Sequence, residues 1–352
     1  VQGWRGGLAA MGGTAPEHKR VPGTNWCVDA MRHKGHDRYF LTHAHADHYT
    51  GFYPAWRRGV VHCNEVTRRV MLHKFPRAAE PGGATFEVLA MDEPCSIDDG
   101  EGRTHEVVLV DANHCMGAVQ FLFTMADGRR FVHSGDFRYD GESPVWLRKH
   151  PQLDRFVNCD ALFLDTTYCS PAYASTPSQR RSIRYIVDTC REEERRARLA
   201  GHKVLFLVST YSIGKERVLV AMHTHLEGRP KVCVSAKKMD MYRRIDGTLG
   251  GAPGAPTGEL ARLVACVEGR PEDGEGGAAD DLAGAMLGDV FTSDPAETNV
   301  HACNWGFLGR PYPFPFSPNW PDISRLARRL GYHRAVAFVP SGWMMDRAGK
   351  TP

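Results

Sequence analysis

Seven short apolar runs between residues 37 and 166, each closed by turn-forming residues, constrain this chain more than any other feature. RYFLTH, GVVHC, ATFEVLAM, HEVVLVDA, AVQFLF, RRFVHSGDF and ALFLDTTY are rich in Val, Phe, Leu and Thr and read as strands. ADGRR, at 126–130, divides two of them as a hairpin turn would. So many strands in so little chain predict a sandwich or another layered sheet structure.

The texture changes near residue 175. In STPSQRRSIRYIVDTCREEERRARLAGHK, Thr176, Pro177 and Gln179 have the spacing of a capping box with proline at the first helical position. An amphipathic helix to about Leu199, stopped by Gly201, is the expectation. KVLFLVST then reads as a buried strand, SIGKERVLVAMHTHL as a helix, KVCVSA as a strand and KKMDMYRRI as a helix. Such alternation predicts an α/β layer with parallel strands. Residues 248–284 are rich in Gly, Ala and Pro and read as a flexible surface insertion. PDISRLARRLGYHRAVAFVPSGW restores a helix and a strand. The expected division is a tail over 1–18, a first domain over 19–175, a second over 176–345 and a tail over 346–352.

Directly after one apolar run, FLTHAHADHYTGF places three histidines and an aspartate within six positions. His43 and His45 are two apart, so in extended chain both imidazoles leave on one face. A cation just beyond the strand can accept both. Asp47 and His48 follow at the turn, offering oxygen and nitrogen to a second ion a few ångströms away. A chance match to this spacing arises in about one in several hundred chains of this histidine content. The competing reading is a solvated loop. Two more candidates stand at strand ends: His114 after VVLVDAN, and Asp136 in RRFVHSGDF, where a buried acid must be paired or coordinate a cation. Taken singly, each also reads as an ordinary loop residue. Asp29, in WCVDAM, either orients a ligand histidine from behind or is a surface acid.

STYSIGKER supplies a different chemistry. A strand ends at Ser209-Thr210, and Ser212 reads as the N-cap of the next helix. With Gly214 and Lys215 beside it, the turn could cradle a phosphate, or be an ordinary strand-to-helix turn.

Composition excludes several other classes. Of 352 residues, 42% are apolar and 24% charged, the balance of a folded protein rather than a disordered one. The net charge of +3 is compatible with a polyanionic partner without requiring one. Ten cysteines contain no C-x-x-C pair, so zinc-finger spacing is absent and reduced thiols in an intracellular compartment are expected. Cys115 and Cys169 read as packing residues. There is no apolar leader segment and no run of 18 apolar residues, so neither secretion nor a membrane span is expected. The basic pairs Arg180-Arg181, Arg195-Arg196, Lys237-Lys238 and Arg243-Arg244 could line a DNA groove or form solvated helix faces.

H-x-H-x-D-H, then a lone histidine, then SGDF, resembles the metallo-β-lactamase hydrolases, an αββα sandwich. More narrowly, KRVPGTNWCVDAM, LVDANHCMGA, HSGDFR, LFLDTTYCSP and STYSIGKE resemble the DNA cross-link-repair nucleases, the family of Artemis and Apollo. The resemblance runs from about Lys19 to Trp343 and implies a second, α/β β-CASP cap domain. It implies that His43, His45 and His114 bind one zinc-class ion with Asp136 bridging, and that Asp47 and His48 bind a second. Asp47, Asp136 and Asp165 become the acids of catalysis, Asp165 matching a β-CASP acidic motif. Ser212, Gly214 and Lys215 become phosphate contacts. The activity implied is 5′-to-3′ exonuclease cleavage of DNA bearing a 5′-phosphate, in the nucleus, during cross-link and double-strand-break repair. An RNA-processing nuclease, a small-molecule hydrolase of the same fold and a silent DNA-binding scaffold are the alternatives. Two departures stand out. Met116 replaces the family's proline. The family also continues past a segment like PSGWMMD to a Ser-Glu-His-Ser motif, absent before Pro352, which predicts one well-formed ion site and one incomplete one.

Overall fold

The computed structural model describes residues 13–139, 151–247, 287–310 and 316–342, with single positions at 263 and 267. The insertion over 248–284 otherwise lies outside the described residues, as do the tail over 346–352, Trp343 and residues 1–12. Backbone contacts divide the chain into two units, one closing at Asp165 and the other opening at Thr166.

Among the described residues, the first unit holds two sheets. Strands β1 (Trp26–Val28), β2 (Arg38–Phe40), β3 (Val60–Cys63) and β4 (Phe86–Val88) form one, all parallel. Strands β5 (Cys95–Asp98), β6 (Thr104–Asp111), β7 (Val119–Thr124) and β8 (Arg130–His133) form an antiparallel sheet, and β9 (Ala161–Phe163) joins its edge parallel to β8. The turn at 126–128 closes the β7–β8 hairpin through Met125 N–H to Arg129 O at 2.8 Å, as ADGRR predicted.

Period-two alternation sends β6 to two cores at once. Val107 and Leu109 join Trp26, Phe40, Phe121, Phe123 and Phe131 between the sheets, while Val108 and Val110 meet Leu122, Val132 and Phe156 on the far face. A strand buried on both faces reads as an unbroken apolar run, which is why HEVVLVDA shows no polar alternation. Each buried Phe or Val contributes about 1.5–3 kcal/mol to the sandwich. Helix α1 (Glu65–Lys74) buries Val66, Val70 and Met71 and is started by Asn64, whose side chain accepts the Thr67 N–H at 2.9 Å. With α1 beside β4 on one side and the helical turn Pro151–Asp154 placing Leu153 on the far-face cluster on the other, the αββα layering expected for this half is present.

The second unit is built on a five-stranded parallel sheet in the order β12 (Phe291–Thr292), β11 (Val232–Cys233), β13 (Val300–Asn304), β10 (Val204–Thr210) and β16 (Arg334–Phe338). A short antiparallel pair, β14 (Gly309–Arg310) and β15 (Ser317–Pro318), lies between β13 and β16 in the chain. Among the described residues its helices include α2 (Gln179–Leu199), α3 (Glu216–His225), α4 (Ala236–Asp246), α5 (Trp305–Leu308) and α6 (Trp320–Arg329). Helix α2 starts two residues later than the capping-box frame predicts. Ser178 is the N-cap, its hydroxyl accepting the Arg181 N–H at 3.2 Å, and Pro177 precedes the cap. Two overlapping frames offered a hydroxyl three residues before an amide. The Thr176 N–H instead closes the preceding turn on Tyr173 O at 3.0 Å.

No helix among the described residues is long and apolar enough to cross a membrane.

Candidate metal centre

Strands β6 and β8 both run antiparallel to β7, and β9 runs parallel to β8, so their carboxyl ends share one edge of the sheet. From that edge come His114, Asp136 and Asp165. The parallel strands β1 and β2 deliver Asp29, Thr42, His43 and His45. A backbone bond joins the two groups, Val119 N–H to Thr42 O at 3.0 Å, and another, Arg138 N–H to Ala112 O at 2.9 Å, joins the β6 and β8 loops. The Asn113 side chain reaches Arg138 O at 3.1 Å, which ties the loop carrying His114 to the loop carrying Asp136. Asn113 itself has φ +54°, a left-handed turn that Asn tolerates. The proline-to-methionine departure leaves this turn closed, by Ala118 N–H to Cys115 O at 3.0 Å, with Met116 buried.

Imidazole nitrogens face one another at the centre. His43 Nε2 lies 2.9 Å from His45 Nδ1, and His114 Nε2 lies 3.2 Å from the same atom. His48 Nε2 is 3.3 Å from Asp136 Oδ1, and His114 Nε2 is 3.5 Å from Asp136 Oδ2. Two overlapping ligand groups result, His43–His45–His114–Cys115 and His43–His48–Asp136, each with donor atoms within 4.8 Å of one another. A neutral imidazole keeps one nitrogen unprotonated, and a shared divalent cation takes a lone pair from each of these rings. The donor set fits such an ion. Asp47 stands at the rim, 77% exposed, with Oδ2 3.6 Å from His48 Nε2, and belongs to neither group. Cys115, read from the sequence as a packing residue, is half-buried with its sulfur beside these donor atoms. Cys169 is exposed, so it is not a packing residue.

Asp29 is the buried anchor. Its carboxylate accepts the Thr42 N–H at 2.9 Å, the Thr42 hydroxyl at 2.7 Å and a bond from His48 Nδ1 at 2.7 Å. It resolves as the residue behind a ligand rather than a surface acid. Burial alone would raise its pKa, yet the His48 charge and hydrogen bond hold it below the usual carboxylate range. Burial also pushes His48 down, but Asp29 and Asp136 on either side of the ring override it and bring its pKa up to about 10. His43 is fully buried. Desolvation, then the neighbouring His48, His45 and His114, drive it well below its ordinary value, leaving a neutral imidazole with a lone pair to give. Asp136 is lowered despite burial by the bond and charge of His48. Thr42 was not singled out from sequence, although a polar residue closing an apolar run before the histidines was the available signal. Gly135 is required beside it: at φ +53°, a Cβ there would sit 2.8 Å from Thr42 Cβ and push on the residue that holds Asp29.

Asp29→Asn keeps the side-chain shape and tolerance of the left-handed φ of +49° but removes the charge that fixes the His48 ring. Metal affinity should fall roughly 10- to 100-fold, as for other residues that orient a ligand histidine. Titration of the apo-protein with zinc, followed by calorimetry, reads this directly. An unchanged affinity would show that Asp29 serves only the fold.

Asp165 lies two residues past β9, with its N–H on Ser134 Oγ at 2.9 Å and its Oδ2 3.7 Å from Arg138 Nη1. Ser212, Gly214 and Lys215 belong to the second unit. There Lys215, in left-handed conformation at φ +72°, is the N-cap of α3, and Ser212 is not. Glu216 folds back, and its carboxylate takes the Gly214 N–H at 2.8 and 2.9 Å. Sequence reasoning missed Glu216 because a glutamate at a helix start looks like a solvated surface acid. Lys238 is likewise no groove-lining cation. It is buried, 3.1 Å from Glu216. Arg195 and Arg196 pair with Glu192 at 2.8 and 2.7 Å and form a charged helix face.

Similarity to known proteins follows the same lines. A model described as a β-lactamase superfamily domain matches residues 28–197. DNA ligase 6 of Arabidopsis thaliana is 35% identical over 338 residues, 94% of this chain and 20% of that protein. DNA cross-link repair 1A protein of Mus musculus is 39% identical over 212 residues, 59% of this chain and 19% of that protein. The 5′ exonuclease Apollo of Danio rerio is 34% identical over 228 residues, 64% of this chain and 37% of that protein. The chain thus spans about a fifth of the first two relatives and under two fifths of the third.

Proposed function

The chain belongs to the DNA cross-link-repair branch of the β-lactamase superfamily, and on that premise we propose that it is a metal-dependent DNA nuclease. Its reaction is the hydrolysis of phosphodiester bonds, as a 5′-to-3′ exonuclease on DNA with a 5′-phosphate, in nuclear cross-link and double-strand-break repair. The observation that carries this reading is the pair of ligand groups His43–His45–His114–Cys115 and His43–His48–Asp136, each within 4.8 Å.

His43, His45, His114 and Asp136 would hold one zinc ion, and Asp136, Asp47 and His48 would contribute to a second. When bound, zinc supplies Lewis acidity toward water and phosphate oxygen. The remaining work belongs to the side chains. His43 stays neutral because it is buried, and so always offers its lone pair. Asp29 holds His48 at Nδ1 and aims Nε2 toward Asp136. Asp47, exposed at the rim, takes the proton released from the attacking water on its carboxylate. Asp165 holds Arg138, whose guanidinium offsets the charge that gathers on the phosphate. Of the expected phosphate contacts, Lys215 supplies the charge. The Gly214 N–H is already engaged by Glu216, and Ser212 has no capping role. Residues 19–175 are assigned to the hydrolase domain and 176–345 to the β-CASP cap.

The test uses 3′-labelled single strands of DNA and RNA, each with a 5′-phosphate or a 5′-hydroxyl, incubated with zinc-loaded protein. Stepwise shortening of 5′-phosphorylated DNA from its 5′ end, at least about tenfold faster than RNA, is expected. RNA cleaved first would move the chain to RNA processing, and hydrolysis of neither would remove the nuclease reading.

A further inference from the structure

Strands β10 and β13 lie side by side in the second unit, with Thr210 opposite Asn304 at their carboxyl ends. From β10 the chain passes through α3 to β11. From β13 it passes through α5 and α6 to β16, in the opposite direction across the sheet. Right-handed crossovers in opposite directions leave on opposite faces. Helix α6 accordingly packs Ile323 and Ala327 on Leu205 and Leu207, one face of β10. Where neighbouring connections part in this way, a crevice opens outside the carboxyl ends of the strands, the usual position of a ligand in an open α/β sheet.

An aromatic pair and a cation occupy that edge. Tyr211, the first residue after β10, is 44% exposed. Trp305, the first after β13, is half-buried with its ring centroid 6.2 Å from that of Tyr211, and Phe316 packs edge-on behind it at 6.4 Å. Lys215 Nζ lies 5.9 Å from the centre of the Tyr211 ring. The backbone beneath is clamped, since buried Lys238 donates to Tyr211 O at 2.9 Å and Ser212 O at 3.3 Å while pairing with Glu216. Little chain entropy is left to lose when a ligand stacks there. A rigid, partly exposed ring beside a cation, backed by a second aromatic, is the arrangement that takes a nucleobase without reading its identity.

We propose that Tyr211 and Trp305, with Lys215 alongside, form a base-stacking subsite for single-stranded DNA. The subsite rests on the reading of the chain as a DNA nuclease and deepens it. The strand is gripped by the face of a base as well as by its phosphates, and so binds in a way indifferent to sequence.

The test compares two nuclease-resistant phosphorothioate strands of equal length and charge, one of thymidines and one in which every base is removed. Binding to the full chain is followed by fluorescence anisotropy. Wild type should hold the base-bearing strand roughly tenfold more tightly. Tyr211→Ala should bind both strands equally, and Tyr211→Phe, which keeps the ring, should restore the preference. Cleavage of ordinary 5′-phosphorylated DNA and the thermal midpoint are scored on the same preparations. An undiminished base preference in Tyr211→Ala, with wild-type cleavage intact, overturns the subsite and leaves the nuclease reading standing. A wild-type protein that binds neither strand overturns both.

Discussion

His45→Ala should reduce DNA cleavage by more than about 100-fold, the upper end of what losing only a partner behind a ligand costs. His45 Nδ1 is the atom on which His43 and His114 both converge, at 2.9 and 3.2 Å, so its removal takes a donor from the middle of the set. Asp136→Asn should do the same by a different route, because the carboxylate lies within reach of both His48 and His114. Neither change should unfold the protein, since both side chains are partly exposed and contribute nothing to the core between the sheets. Metal content by mass spectrometry should fall together with activity. Dialysis of wild type against a chelator should reproduce the loss, and added zinc should reverse it. Full cleavage by His45→Ala with a normal metal content would place the chemistry elsewhere.

Lys238→Met should cost about 3 kcal/mol of stability, the low end for removing one partner of a buried ion pair. The low end applies because Glu216 keeps Tyr242 Oη at 3.0 Å and the Gly214 N–H when the lysine is gone. The loss should depend on pH, with a definite sign. In wild type the Glu216 pKa is lowered in the fold, by Lys238 above all, against the opposing effect of burial. Its ionisation therefore adds stability above the unfolded carboxylate pKa, and that stability is lost as pH falls. Without Lys238, burial is opposed by hydrogen bonds alone and the folded pKa moves up, so the acid enters the fold more readily as the neutral form. Urea denaturation should then show a smaller deficit at pH 5 than at pH 8, and Glu216→Gln combined with Lys238→Met should recover part of it. Equal deficits at both pH values would mean that lost packing of the lysine stem, not an unpaired carboxylate, is the cause.

Some of this was legible in the residues before any fold was known. The spacing of His43, His45, Asp47 and His48 is local, so the direction of two imidazoles follows from strand geometry alone. His114 and Asp136 could be suspected because polar residues that end buried runs must go somewhere. The apolar runs of the first half and the alternation of the second announced their sheets. Cap positions were less secure. At α2 and at α3 more than one hydroxyl stood near the helix start, and in α3 the cap turned out to be a left-handed lysine whose side chain makes no capping hydrogen bond.

Pairings over long separations were beyond reach of the sequence. Nothing in WCVDAM says that Asp29 will hold His48, nineteen positions away, rather than face water. Nothing in SIGKER says that Glu216 will turn inward to meet Lys238 and Tyr242. Cys115 beside the histidines is likewise a product of two sheets packing together, and Tyr211 beside Trp305 of two strands lying next to one another. The sequence alone determined which donors exist and which way neighbouring ones point, because those depend on backbone periodicity over a few residues. Which donors meet, which charges lose their water and which amides are already taken were decided by the folded chain, because burial and pairing depend on what arrives from elsewhere.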